Sequence, residues 1–261
     1  MPRPRHHPSG ADAAYGWLMS EATPVQVPVI DGLMPADLHL PESGRGPGLV
    51  LFKEIFGVGD YIDARARDLA ARGYVVLVPH FYWRLPGGDE VVPSGELERA
   101  MGLLQQFDWD LGVADGSAAL AYLQQRDEVD GPVGLIGFCF GGGLAFAVAA
   151  ATATLGEGAP DALVSYYGSA LPNLLGLTGQ VDAPSLHHFG LDDAYIPAET
   201  VREIEQALTE GGTDVTFRTY AGAGHAFDNP DPAFHHEGAS REAWAATTEW
   251  LDEKLPVGEP S

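Results

Sequence analysis

Val133-Gly134-Leu135-Ile136-Gly137-Phe138 is a run of small and apolar residues that ends at Cys139, and Phe140-Gly141-Gly142-Gly143-Leu144-Ala145-Phe146 leads on into an alanine-rich stretch. The first run reads as a buried strand and the second as a helix, which leaves the cysteine on the turn between them. A strand-to-helix turn this sharp strains its central residue and brings two backbones together. The positions two before and two after it then tolerate little more than hydrogen. Gly137 and Gly141 occupy those positions. The pattern G-x-C-x-G-G is a nucleophile elbow with a thiol in place of the usual serine. Its side chain stands clear of the sheet, and the N–H that follows helps to bind an oxyanion. Read alone, the same residues also describe a buried cysteine in a glycine-rich turn. The strand before it and the helix after it favour chemistry.

Strand and helix patterns alternate along the rest of the chain. Thr23 to Ile30 and Leu33 to Leu40 form a hairpin pattern around Asp31-Gly32, a pair that accepts the positive backbone angles of a tight reversal. Gly48 to Phe52 is a continuous apolar run ending in Lys53-Glu54, as expected of a strand buried on both faces whose C-terminal end opens towards a site. Asp60 is placed to cap a helix over Tyr61 to Arg72 that Gly73 ends. Tyr74 to Pro79 is a second buried strand, followed by a long irregular stretch, His80 to Gly95, of the kind that carries function. Helical spacing covers Glu96 to Gln106 and Asp110 to Arg126 with a break at Phe107-Asp108-Trp109, and the elbow helix runs to about Leu155. Ala162 to Tyr167, Pro184 to Phe189 and Val215 to Tyr220 read as strands, Ala198 to Gly211 as a helix closed by Gly211-Gly212, and about Arg241 to Leu255 as a last helix. The alternation implies an α/β fold: a mostly parallel sheet with helices on both faces and an antiparallel N-terminal hairpin at its edge.

With 261 residues, 45% of them hydrophobic, the chain can bury one large core. We expect a single domain over residues 21–255, a flexible extension over 1–20 and a tail over 256–261. A net charge of −23 and a pI near 4.5 argue against nucleic acid and anionic membranes, which are bound through clustered Lys and Arg; only Lys53 and Lys254 are lysines. One cysteine cannot form an internal disulfide, so an oxidising compartment is not called for and a cytoplasmic location is expected. The basic N-terminal residues lack the apolar stretch of a signal peptide, and no stretch has the length of a membrane span.

A thiol nucleophile needs a base, and the base needs a carboxylate to fix its tautomer. Downstream of Cys139, Phe189-Gly190-Leu191-Asp192-Asp193-Ala194-Tyr195-Ile196-Pro197 follows one strand and Ala221-Gly222-Ala223-Gly224-His225-Ala226-Phe227 follows the next. The order nucleophile, acid, histidine is that of the α/β-hydrolases. The spacing G-x-x-D-x-x-I-P selects Asp193 as the acid, with Asp192 the alternative. Glu54 ends a strand just before a loop that must donate an oxyanion N–H. Near Cys139 its charge would disfavour a resting thiolate while offering a second proton acceptor. Gly57-Val58-Gly59 is only half of a dinucleotide loop. His187 and His188 point to opposite faces of a strand, and His235 and His236 lack partners at ligand spacing, so neither a metal nor a cofactor is expected.

Over most of residues 45–255 the chain resembles the dienelactone hydrolase family. The resemblance is carried by Phe52-Lys53-Glu54-Ile55-Phe56-Gly57-Val58, Val78-Pro79-His80-Phe81-Tyr82-Trp83-Arg84, the elbow, Tyr166-Tyr167-Gly168, the Asp193 turn and Ala221-Gly222-Ala223-Gly224-His225. It implies an α/β-hydrolase that acts on small lactones or esters through an acyl-enzyme, as a monomer or small homo-oligomer. Cys139 would be the nucleophile, His225 the base, Asp193 its orienter and Glu54 a carboxylate beside the thiol. The backbone N–H groups of Ile55 and Phe140 would form the oxyanion hole. Arg84 would bind a substrate carboxylate, with Tyr82, Trp83 and Tyr167 beside it. Where the family places a serine after the histidine and an arginine three residues further on, this chain has Ala226 and Asn229, which removes one cation for a carboxylate. The same triad would also serve a thioesterase or acyl transferase, and a ligand-binding or redox-sensing protein on a hydrolase scaffold is the non-enzymatic alternative.

Overall fold

In a computed structural model describing residues 22–258 except 89, 157, 212 and 213, the apolar runs of the sequence become eight strands. They are β1 (Thr23–Val29), β2 (Gly32–His39), β3 (Gly46–Phe52), β4 (Val75–Pro79), β5 (Val129–Phe138), β6 (Ala162–Tyr166), β7 (Ser185–Gly190) and β8 (Val215–Tyr220). They form one sheet in the order β1-β2-β4-β3-β5-β6-β7-β8. The hairpin is antiparallel, and β2 also pairs antiparallel with β4, whereas the strands from β4 across to β8 run parallel. Every residue of β3, β4, β6 and β7 is buried, which is why these strands read as unbroken runs rather than alternating ones. The fold is the expected α/β-hydrolase arrangement. The extension at 1–20 and the glycine at 212 lie outside the described residues.

Among the described residues five α-helices lie between strands, α1 (Asp60–Ala71), α2 (Leu97–Gln106), α3 (Trp109–Gln124), α4 (Phe140–Leu155) and α5 (Ala198–Gly211), and α6 (Glu237–Lys254) follows β8. On β7, His187 packs towards Phe146 of α4 while its neighbour His188 reaches Thr247 of α6 at 2.9 Å, so these two helices cover opposite faces. On the α6 face, the Arg65 guanidinium of α1 stacks 4.0 Å over the Trp244 ring. Burial drives the imidazoles of His187 and His188 down to about 3, which makes both neutral core residues.

Several local expectations need correction. The first reversal turns on Ile30-Asp31, one place early, because Val29 pairs with Gly32. Gly32 lacks a positive φ; a Cβ there would sit 2.9 Å from the Trp83 ring, so the glycine makes room for that ring. Gly59, not Asp60, is the N-cap of α1, and it offers no side chain. Asp60 instead starts the helix, where its charge favours the dipole. Helix α6 begins at Glu237, four residues before the expected Arg241, because the His236 imidazole accepts a hydrogen bond from the Ala239 N–H at 3.1 Å. Two short 3₁₀ helices, Leu171–Asn173 and Leu175–Gln180, which the hydrophobic pattern did not reveal, lie between β6 and β7.

Parallel strands in register bring their C-terminal ends together. Phe52 pairs with Gly137, Phe138 with Tyr166, Tyr166 with His188 and Gly190 with Tyr220. The loops just beyond carry Glu54, Cys139, Tyr167, Asp193 and His225. Residues far apart in sequence are thereby gathered at one edge of the sheet.

Candidate active site

Cys139 stands between β5 and α4 with φ 53° and ψ −116°, a conformation that a side chain adopts at a cost. The surroundings hold it there. Its N–H donates to Tyr166 O at 2.9 Å, and its own carbonyl accepts from Gly142 N at 3.0 Å and Ser169 N at 3.1 Å. A Cβ on Gly137 would lie 2.2 Å from Gly141 O, and one on Gly141 would lie 2.4 Å from both Phe52 O and Lys53 O. The two glycines therefore let the helix start against the ends of β3 and β5. The turn leaves the thiol 7% exposed, with Ser169 Oγ 3.9 Å from Sγ.

His225, on the loop after β8, brings Nε2 to 3.1 Å from Cys139 Sγ, and its Nδ1–H donates to Asp193 Oδ2 at 2.7 Å. The other oxygen of Asp193 accepts from the backbone N–H groups of Tyr195 at 2.7 Å and Ile196 at 3.0 Å, so the carboxylate is pinned from both sides. Asp192 is exposed, and these contacts are all made by Asp193. Burial alone would depress the His225 imidazole. The charge that a deprotonated Cys139 sulfur would carry, together with the Asp193 carboxylate, outweighs it and lifts the imidazole to about 10, so that Nε2 would keep a proton received from the thiol.

Glu54 is almost completely buried, and both its oxygens accept from Asn229 Nδ2, at 2.9 and 3.0 Å. Burial pushes its carboxyl up to about 7, while the Asn229 hydrogen bond pulls the other way. Asn229 thus holds Glu54 through a neutral donor at a position where an arginine would bring a charge. The loop between His225 and Asn229 is anchored below by Asp228. That carboxylate accepts from Arg65 at 2.6 and 2.9 Å, from Tyr61 at 2.6 Å and from Ser240 at 2.8 Å. Tyr167 joins this cluster through Tyr61, hydroxyl to hydroxyl at 3.2 Å, and sets its ring 5.3 Å from that of His225.

A cleft of about 130 Å³ opens over the sulfur. Ile55, Phe56, Leu97, Met101, Leu104 and Phe234 supply most of its wall, and Glu54, Ser169, Tyr195, Ala226, Cys139 and His225 complete it. No lysine or arginine among the described residues lines it. Arg84 is not brought to it. Its guanidinium is held on one side by Asp31, in the hairpin turn, and on the other by the buried Asp115 of α3, and it stacks 4.3 Å over Trp83. Trp83 also donates to Asp115, at 3.2 Å. Tyr82 is buried with its ring against Phe140 and Phe107. Of the four side chains expected to touch substrate, none lines the cleft; Tyr167 packs beside His225 and Tyr82 beside Phe140, and Trp83 and Arg84 join the hairpin to α3. The walls contributed by α2 and Phe234 went unrecognised in the sequence. Their only signal is the apolar face of α2, which reads equally well as core. Among the described residues no cluster of His, Cys, Asp and Glu has the makings of a metal site, and no helix is long and apolar enough to cross a membrane.

The sequence profile of the Dienelactone hydrolase family matches residues 34–255. A carboxymethylenebutenolidase of Pseudomonas sp. is 37% identical over 230 residues, which span 87% of this chain and 93% of that protein. One from Pseudomonas putida is 36% identical over 192 residues, 72% of this chain and 77% of that protein. Among solved structures, a dienelactone hydrolase-like promiscuous phosphotriesterase from metagenomic libraries shares the fold with a TM-score of 0.73 at 27% identity, covering 92% of this chain and all (100%) of that one.

Proposed function

Because this chain belongs to the dienelactone hydrolase family and is a hydrolase of lactone or ester bonds, we propose that it works through a Cys139-His225-Asp193 triad on small, uncharged esters or lactones. The observation that carries this reading is the unbroken line of contacts from Asp193 to His225 at 2.7 Å and from His225 to the sulfur at 3.1 Å. His225 Nε2 takes the thiol proton as Sγ attacks the carbonyl carbon. The carbonyl π pair moves onto oxygen, which the N–H groups of Ile55 and Phe140 receive. Collapse reforms the C=O and breaks the C–O bond. The leaving oxygen takes the proton from His225, giving a thioester on Cys139; with a lactone, the freed hydroxyl remains on the acyl group. Water, deprotonated by His225, then attacks the thioester, and the sulfur leaves and recovers a proton as the acid departs. Asp193 fixes the Nδ1–H tautomer throughout.

Glu54 offers a second acceptor near the thiol. With its carboxyl near 7 it changes charge in the range where the enzyme would act. Substrate charge follows from the cleft wall. It is mostly apolar, Arg84 is occupied by two carboxylates and Asn229 is bonded to Glu54, so a carboxylated substrate would find no lysine or arginine there among the described residues. The carboxymethylenebutenolidase name of the relatives supports lactone chemistry, but the wall favours a neutral acyl group.

A panel of neutral and carboxylated esters, lactones and thioesters, assayed with the wild type and with Cys139→Ala, tests the proposal. We expect neutral esters or lactones to be turned over and the variant to lose about 10³-fold or more. Undiminished hydrolysis by Cys139→Ala would remove the thiol from the mechanism, and a marked preference for thioesters would move the assignment to a thioesterase.

A further inference from the structure

We propose that Lys53 is a positioning residue: it fixes the Glu54–Ile55 peptide, whose N–H receives the oxyanion in the mechanism above, on which this inference rests. Lys53 follows the last residue of β3, and its side chain is 1% exposed, although it carries an amine. Of the 14 lysines and arginines in this chain only two are lysines, and one is kept at this buried place. Burying an amine costs free energy unless it is given partners, so its contacts need an explanation. It has two kinds. Nζ donates to Glu54 O at 3.2 Å, and it lies 3.0 Å from the centre of the Tyr82 ring and 5.2 Å from that of Phe140. Burial holds the amine well below the ordinary lysine value, so it gives up its proton more readily than a surface lysine. Charged or neutral, it retains N–H groups to donate.

The carbonyl that Lys53 holds and the N–H of Ile55 belong to the same peptide unit. A trans peptide is planar and its C=O and N–H point in opposite directions. A donor anchored at Glu54 O therefore sets the direction of the Ile55 N–H and polarises it. The aromatic face beneath the amine includes Phe140, whose own N–H is the other half of the hole. The hydrogen bond is to the Ile55 half, and the Phe140 ring lies within 5.2 Å of the same amine. An arginine would be a poor substitute: its planar fork needs several acceptors, and here there is one carbonyl between two rings.

A rival role would be electrostatic support of an anionic sulfur. Two reactions of the same thiol separate the two roles. Ester acylation needs the oxyanion hole, whereas alkylation by iodoacetamide needs only the thiolate. Lys53→Met keeps the volume and removes the donor. With p-nitrophenyl butyrate we expect kcat to fall about 10- to 30-fold with KM changed less than about 2-fold, and a trifluoromethyl ketone to bind more weakly by a similar factor. The rate of Cys139 alkylation across about pH 6 to 9 should match the wild type. Lys53→Leu carries the same expectations if the methionine variant does not fold. An unchanged kcat, or an alkylation rate that falls in step with kcat, overturns the proposal. Cys139→Ala is assayed beside them: if it still hydrolyses the ester, the thiol mechanism itself has failed, whatever Lys53 does.

Discussion

Asp192 and Asp193 are adjacent in sequence and opposite in environment: the first is exposed, and the second is buried with one oxygen on His225 and the other on two backbone N–H groups. Asp193→Asn should lower turnover by about 10²-fold or more, because an amide can stabilise the wrong tautomer of the base, while Asp192→Asn should stay within about 2-fold. Steady-state rates on one ester decide it, and the reverse order would mean that Asp192 orients His225. Glu54 makes a prediction about pH. Its carboxyl is raised from 4.5 to about 7 in the folded protein by burial. Below about pH 4.5 it is protonated whether the chain is folded or not. Between there and about pH 7 the unfolded chain ionises first, so its stabilising effect is lost as pH rises through that window, by about 3 kcal/mol in all. Melting curves should therefore show Glu54→Gln gaining on the wild type from about pH 5 to about pH 8. The same substitution should remove a step near neutral pH from the kcat profile, and parallel pH curves in both respects would return Glu54 to an ordinary buried acid.

The elements most legible in the sequence are those whose signal is local. β3, β4, β6 and β7 are buried on both faces and appear as apolar runs, and the elbow glycines are demanded by backbones within 2.4 Å. Because parallel strands place their loops at one edge, the order of Cys139, Asp193 and His225 along the chain was enough to anticipate their meeting. Pairings between distant polar residues left no comparable trace. Glu54 and Asn229 are 175 residues apart and Tyr61 and Asp228 are 167 apart, and no periodicity links such pairs. Arg84 illustrates the consequence: the family resemblance implies that it binds a substrate carboxylate, but Asp31 and Asp115 hold its guanidinium. At the scale of elements it joins the hairpin turn to α3. Arg84→Ala leaves the buried Asp115 with Trp83 as its one remaining partner among the described residues, and we expect it to destabilise the fold by about 2 kcal/mol. KM for a carboxylated ester should be unaltered. A selective rise in that KM without loss of stability would restore Arg84 to the substrate site.

At the scale of the whole molecule, a net charge of −23 surrounds a cleft whose wall holds no lysine or arginine among the described residues. The field repels anions over a range set by salt, about 10 Å at 0.1 M. Raising the ionic strength from about 0.01 M to 0.5 M should therefore increase kcat/KM for a carboxylated ester several-fold, about 3-fold or more, and leave that for its neutral counterpart within about 1.5-fold. Equal responses would show that an unrecognised cation screens the cleft. The proposed mechanism depends on the thiol forming a covalent bond with the acyl group. Intact-protein and peptide mass spectrometry after rapid acid quenching from a slowly deacylating neutral ester examines that bond directly. The predicted result is a mass increase of one acyl group on the peptide that contains Cys139, formed at the rate of the burst of released alcohol and absent from Cys139→Ala. Steady turnover with no adduct on Cys139 at any quench time, and with hydrolysis retained by Cys139→Ala, would contradict it.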